Sequence, residues 1–171
     1  VAVIEGNEIH YTEYEAANEQ LTEVYKLETG RSDFDEEMTN QLRNQVWSML
    51  VMDYTMRAQA EKIGMDVTKE ELSNLSIGNN PHQLILQRRA FYDETGNFNS
   101  GYLKNFLASL EQEPENAEQA ELINQYKNYW NFWENTLRLQ YLQEKYTDLL
   151  SKAITANNID AKYSFLARQE A

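Results

Sequence analysis

VAVIEGNEIHYTEY, Val1 to Tyr14, is the stretch whose reading decides the fold. An apolar run from Val1 to Ile4 meets a Gly6-Asn7 turn, and a second short run, Ile9 to Tyr11, follows. Two short runs around a Gly-Asn pair read as a β-hairpin over residues 1–11. Thr12 and Glu15 then have the capping-box spacing, which predicts a helix opening at Thr12.

From there to about residue 154 the chain reads as a helical body. The first helix carries Tyr14, Ala17, Leu21, Val24 and Tyr25 on one face and stops near Gly30. Ser32 or Asp33 caps a long second helix, about Phe34 to Ile63, with Met38, Leu42, Val46, Met49, Leu50 and Tyr54 at three- and four-residue steps. Gly64 ends it, and Thr68 with Glu71 opens a short third helix. Pro81, after Asn80, suits the first position of a helix that stops before Gly96. Another begins near Asn99. A polar linker with Pro114 precedes a last long helix, about Ala117 to Ala153.

In the tail, Ala161, Tyr163, Phe165 and Ala167 alternate with other residues, which predicts a strand over 161–168, broken at Leu166. A lone hairpin is marginal in water. The expectation is therefore a mainly α domain whose hairpin pairs with this C-terminal strand, bringing both ends of the chain together.

Composition excludes several function classes. The 171 residues carry a net charge of -13. Among the first thirty, Lys26 is the only base against Glu5, Glu8, Glu13, Glu15, Glu19, Glu23 and Glu28. Nucleic acid and anionic membrane surfaces require clustered Lys and Arg, so neither is an expected partner. There is no cysteine, which removes disulfides, thiolate metal sites and a thiol nucleophile. His10 and His82 are the only histidines and lie in different elements. No metal-ligand spacing, nucleophile elbow, P-loop or dinucleotide turn occurs, so no catalytic residue, metal or cofactor is expected. No apolar stretch approaches the roughly 20 residues that span a bilayer.

Aromatic residues are the surplus feature. Tyr126, Tyr129, Trp130, Phe132, Trp133, Tyr141 and Tyr146 crowd the last helix, more than one amphipathic stripe holds. Three readings fit. The helix is a central pillar covered on both sides; or part of the excess lines a groove for apolar peptide; or Trp130 and Trp133 form a sugar platform. The candidate groove residues are Phe91, Tyr92, Phe98, Trp130 and Trp133. Met38, Met49, Met52, Met56 and Met65 gather on or just past the second helix, a pattern shared by plain cores and adaptable binding surfaces.

Three motifs in order resemble the N-terminal chaperone domain of SurA/PpiD-type periplasmic folding factors, whose relatives include PrsA-like foldases. VAVIEGNEIHYTEYE is similar to that family's opening, with Glu5 where Asn or Asp is usual. Gln45 to Leu72 resembles its second motif through Trp47, Leu50, Ala60, Lys62, Gly64, Val67, Thr68, Glu71 and Leu72, with Gln59 in place of the usual Glu. Asn80 to Leu110 resembles a PpiD-type motif through Phe91, Asp93, Gly96, Phe98, Tyr102 and Leu107.

The resemblance implies a non-catalytic domain that holds unfolded or outer-membrane polypeptides in the periplasm without ATP. It implies a parent with a parvulin-type prolyl isomerase domain downstream and, for a PpiD-like parent, an inner-membrane anchor upstream of Val1. A helical assembly or dimerisation module, or a glycan-binding module of the envelope, are the rival classes.

Overall fold

The structure is a computed structural model, and it describes residues 1–169. Strands β1 (Ala2–Ile4) and β2 (Asn7–Ile9) form an antiparallel hairpin with Ala2 opposite Ile9 and Ile4 opposite Asn7. The turn therefore sits on Glu5 and Gly6, one residue earlier than the Gly-Asn pair predicts. Both have positive φ, +49° and +79°, as a two-residue turn of this hand requires. Glu5 is the one non-glycine residue with positive φ in the described chain, and it stands where the resembling family carries Asn or Asp. Those two side chains tolerate this backbone region better than Glu does.

Six helices follow: α1 (Tyr11–Thr29), α2 (Glu36–Ile63), α3 (Lys69–Ile77), α4 (Gln83–Leu86), α5 (Ser100–Leu110) and α6 (Ala117–Gln169). Their ends show where local chemistry decided. Gly30 and Gly64 close α1 and α2 in the left-handed conformation. Gly64 and Met65 donate back to Glu61 and Ala60, satisfying carbonyls that the helix end would leave open. Thr68 accepts the Glu71 amide at 3.1 Å, and Asn99 accepts that of Gly101 at 2.9 Å. Two caps are shifted. α1 starts after His10, which gives no side-chain cap bond, so Thr12 lies inside the first turn. Asp35, not Ser32 or Asp33, caps α2 by accepting the Met38 amide at 2.8 Å.

The segment before Gly96 is not one helix. It is the four-residue α4, a 3-10 turn at Arg89–Phe91, and a loop in which Tyr92 bridges Phe98. Arg88 breaks the helix. Its backbone is extended because its side chain is committed elsewhere: Nε donates to the Leu84 carbonyl and a terminal nitrogen reaches Glu28 on α1 at 2.6 Å.

The expected tail strand is absent, and residues 161–168 are the end of α6. Neither Gly nor Pro occurs between Ala117 and Gln169, and helix propagates at little cost per residue once nucleated. The hairpin consequently has no third strand among the described residues.

Helices α1, α2 and α6 pack on one another, the hairpin leans on α2, and α3 and α5 lie against α6. One core joins all of them. Leu21 and Val24 of α1, Val46 and Met56 of α2, Leu72, Ile85 and Leu103 meet Tyr129, Trp130, Phe132, Leu137 and Leu142 of α6. The first half of α6 is thus the pillar with cover on both sides. Among the described residues no helix is long and apolar enough to cross a membrane.

Candidate functional site

The five aromatics expected to line a groove do not converge on one. Phe91 and Trp130 are core, 2% and 8% exposed, with the Phe106 ring 5.5 Å from the first and 6.5 Å from the second. Tyr92 and Phe98 meet edge to face at 6.1 Å across their bridge, and the Tyr92 hydroxyl donates to the Leu86 carbonyl at 2.6 Å. Trp133 lies under the Arg88 guanidinium, 3.7 Å from ring centre to carbon. Burial of Phe91 and Trp130 follows from α5, which lays Phe106 over the α6 aromatics; helical periodicity alone cannot place α5 there.

Arg88 organises this side of the molecule. Glu28 accepts from Arg88 and, at 2.8 Å, from the Tyr129 hydroxyl. Burial, and then the Glu28 carboxylate, push the Tyr129 phenol far above its ordinary value, so it stays a neutral donor. The cluster pins the end of α1, the segment after α4 and the middle of α6 together. Beside it opens an aromatic cleft of about 620 Å3, lined by Leu27, Ala90, Phe91, Tyr102, Phe106 and Tyr126. Tyr102, 44% exposed, is its most open ring.

A second cleft, about 570 Å3, lies between α1, α2 and α6. Its floor is core: Leu21, Val46, Phe132 and Leu142. Its walls are the half-buried Met49, Leu50, Met65 and Leu139. Charged groups, Asp53, Arg57, Glu61, Asp66 and Arg138, form the rim, with Asp53 and Arg57 paired at 2.8 Å. An apolar floor with flexible thioethers and a wet rim can accept side chains of varied shape. The sequence signal for this cleft was the methionine cluster. Met56 is buried core, whereas Met49 and Met65 face the opening.

The two histidines lie in different settings. His82 caps α4 by accepting the Leu84 amide at Nδ1, 3.0 Å, and its Nε2 lies 2.8 Å from Glu144 of α6. His10 is exposed. Among the described residues no group of three or more His, Asp or Glu side chains could hold a metal ion.

These observations define a hairpin-led helical domain built round one long aromatic helix and carrying two apolar clefts. The chain belongs to the SurA-like N-terminal domain family, whose model matches residues 1–107, more than half its length. It is therefore a chaperone-type domain, as the three sequence motifs imply. The search of curated proteins and the search of solved structures each returned no match.

Proposed function

We propose that this domain holds unfolded polypeptides, outer-membrane clients among them, in the periplasm without ATP, and that the cleft between α1, α2 and α6 is the principal contact. The observation that carries the reading is the 570 Å3 opening itself: an apolar floor with Met49 and Met65 on its walls, in a domain of this family. The aromatic cleft at Phe91 and Tyr102 is the second contact, and Tyr92 and Phe98 belong to the loop beside it. Trp130 and Trp133 support the clefts from behind.

Buried apolar area contributes roughly 25 cal/mol per Å2, most of it offset by the entropy of association. A cleft of this size therefore gives weak binding, which suits a holder that must release its client. The negative surface favours clients with basic stretches and keeps the complex soluble. The parent is proposed to carry a parvulin-type isomerase domain, which would meet the X-Pro bonds of a held client at raised effective concentration. An anchor upstream of Val1 would place both at the inner membrane.

Aggregation of an unfolded outer-membrane protein, followed by light scattering, tests the reading. Suppression by the wild-type domain should be lost in Leu50→Glu/Leu139→Glu and weakened in Tyr102→Glu, all with unchanged helical circular dichroism. Equal suppression by all three would remove the clefts from the account. No suppression by the wild-type domain would favour an assembly module, which sedimentation would reveal as a stable oligomer. A saccharide-dependent tryptophan signal would favour glycan binding.

A further inference from the structure

The chain has no thiol, so its sulfur is all thioether, on Met38, Met49, Met52, Met56 and Met65. The five sit in different places. Met56 is core, 7% exposed, and Met38 is half-buried against the core. Met52 is the most open, 39% exposed, and lines neither cleft. Met49 and Met65 are half-buried and line the cleft of about 570 Å3 between α1, α2 and α6. One comes from the middle of α2, the other from just past its left-handed end at Gly64. Two separate stretches of chain thus bring thioethers to one opening.

A thioether is open to mild two-electron oxidants. Its sulfur lone pair takes one oxygen of a hydroperoxide, the O–O bond breaks, and water or an alcohol leaves. Sulfur is oxidised to the sulfoxide and the peroxide is reduced. The product carries a polar, chiral S–O group where an apolar sulfur stood. Its surroundings decide the consequence. Leu21, Val46, Phe132 and Leu142 form the cleft floor, and none of these side chains donates a hydrogen bond. Arg57 and Arg138 stand at the rim, and Arg57 is engaged by Asp53 at 2.8 Å. A sulfoxide in this cleft has two choices. It faces the floor without a donor, which is costly, or it turns its oxygen outward and withdraws its apolar area from the cleft.

We propose that Met49 and Met65 are a modification site for peroxide oxidants, and that their conversion to sulfoxides closes the cleft to apolar client segments. The inference rests on the client-holding reading above and adds a chemical control to it. Oxidation of Met52, outside the cleft, leaves holding intact. The closure is reversible, because methionine sulfoxide reductases return the sulfoxide to thioether. In that step a dithiol is oxidised to a disulfide and the oxygen leaves as water.

Binding of a fluorescein-labelled unfolded segment of an outer-membrane protein, followed by anisotropy before and after hydrogen peroxide treatment, tests the proposal. Peptide mass spectrometry reports which methionines are oxidised. In the wild type, sulfoxides at Met49 and Met65 should weaken binding about tenfold, with unchanged helical circular dichroism, and reduction by methionine sulfoxide reductase should restore it. Met52→Leu should lose affinity on treatment as the wild type does. Met49→Leu/Met65→Leu, a volume-conserving change, should show the same affinity before and after treatment. Undiminished wild-type binding with both sulfoxides formed would overturn the proposal. So would Met49 and Met65 left intact when Met52 is oxidised, a loss that persists after reduction, or an equal loss in the Met49→Leu/Met65→Leu protein. Failure of the untreated wild type to bind would instead overturn the client-holding reading, and this inference with it.

Discussion

The two halves of α6 are one continuous helix in opposite circumstances. Between Tyr129 and Leu142 it buries five side chains and is touched by α1, α2, α3 and α5. From Thr147 to Gln169 every residue is exposed, including Leu149, Ile154, Ile159 and Tyr163, the last at 68%. Backbone hydrogen bonding is of the same kind along both. Tertiary packing is what differs, and it supplies most helix stability in proteins. The first half is a structural support for the clefts; the second contributes nothing to the core.

Substitutions should therefore separate the halves sharply. Leu137, fully buried, should cost about 2–5 kcal/mol on replacement by Ala, whereas Ile154→Ala in the projecting half should stay within about 0.5 kcal/mol. Urea unfolding curves of the two variants measure the gap, and equal costs would break the comparison.

Arg88 should rank next. Arg88→Ala removes the Glu28 pair, the Leu84 carbonyl bond and the stacking on Trp133. A loss of about 1–3 kcal/mol is expected, read by the same curves. Trp133 fluorescence should change in parallel, because the cation over its ring has gone.

The hairpin offers a smaller effect of opposite sign. Glu5→Asn places a residue that tolerates positive φ in the turn, and should stabilise the domain by about 0.5–1 kcal/mol. A thermal melt decides it; no gain would mean that Glu5 is not strained.

The smallest effect is a pH dependence. Asp93 accepts from the Thr95 hydroxyl at 2.6 Å and from the Thr95 and Asn97 amides. The Thr95 hydroxyl first, then the Asn97 amide, hold its carboxyl below the ordinary value of 3.8. The folded state therefore gains from the ionised form. That gain is complete above the unfolded value and is lost as pH falls from 3.8 through the lower folded value. Asp93→Asn should flatten the acid limb of the stability curve in that window. An unchanged limb would mean that the loop gains nothing from the charge.

What was legible in the sequence was short-range chemistry. Gly30, Gly64, Thr68 and Asn99 announced their helix ends because a left-handed backbone or a side-chain cap acts within three or four residues. What was not legible depended on distant partners. Arg88 breaks a helix because Glu28, sixty residues earlier, holds it. Trp130 is buried because α5 lays Phe106 over it, whereas Phe91 still lines the aromatic cleft, and Met49 and Met65 line the other cleft where α1, α2 and α6 meet. Alternation of Ala161, Tyr163, Phe165 and Ala167 suggested a strand, but with no turn residue to stop α6 and no partner strand the helix simply continues.

Site-specific photocrosslinking to an unfolded outer-membrane client tests the central claim most directly. A photoreactive side chain would replace Leu50 or Leu139 at the cleft, or Ile159 in the projecting half. The account predicts strong crosslinks at Leu50 and Leu139, competed away by unlabelled client, and only background at Ile159. Crosslinks confined to Ile159 would contradict it and would transfer client holding from the cleft to the exposed end of α6.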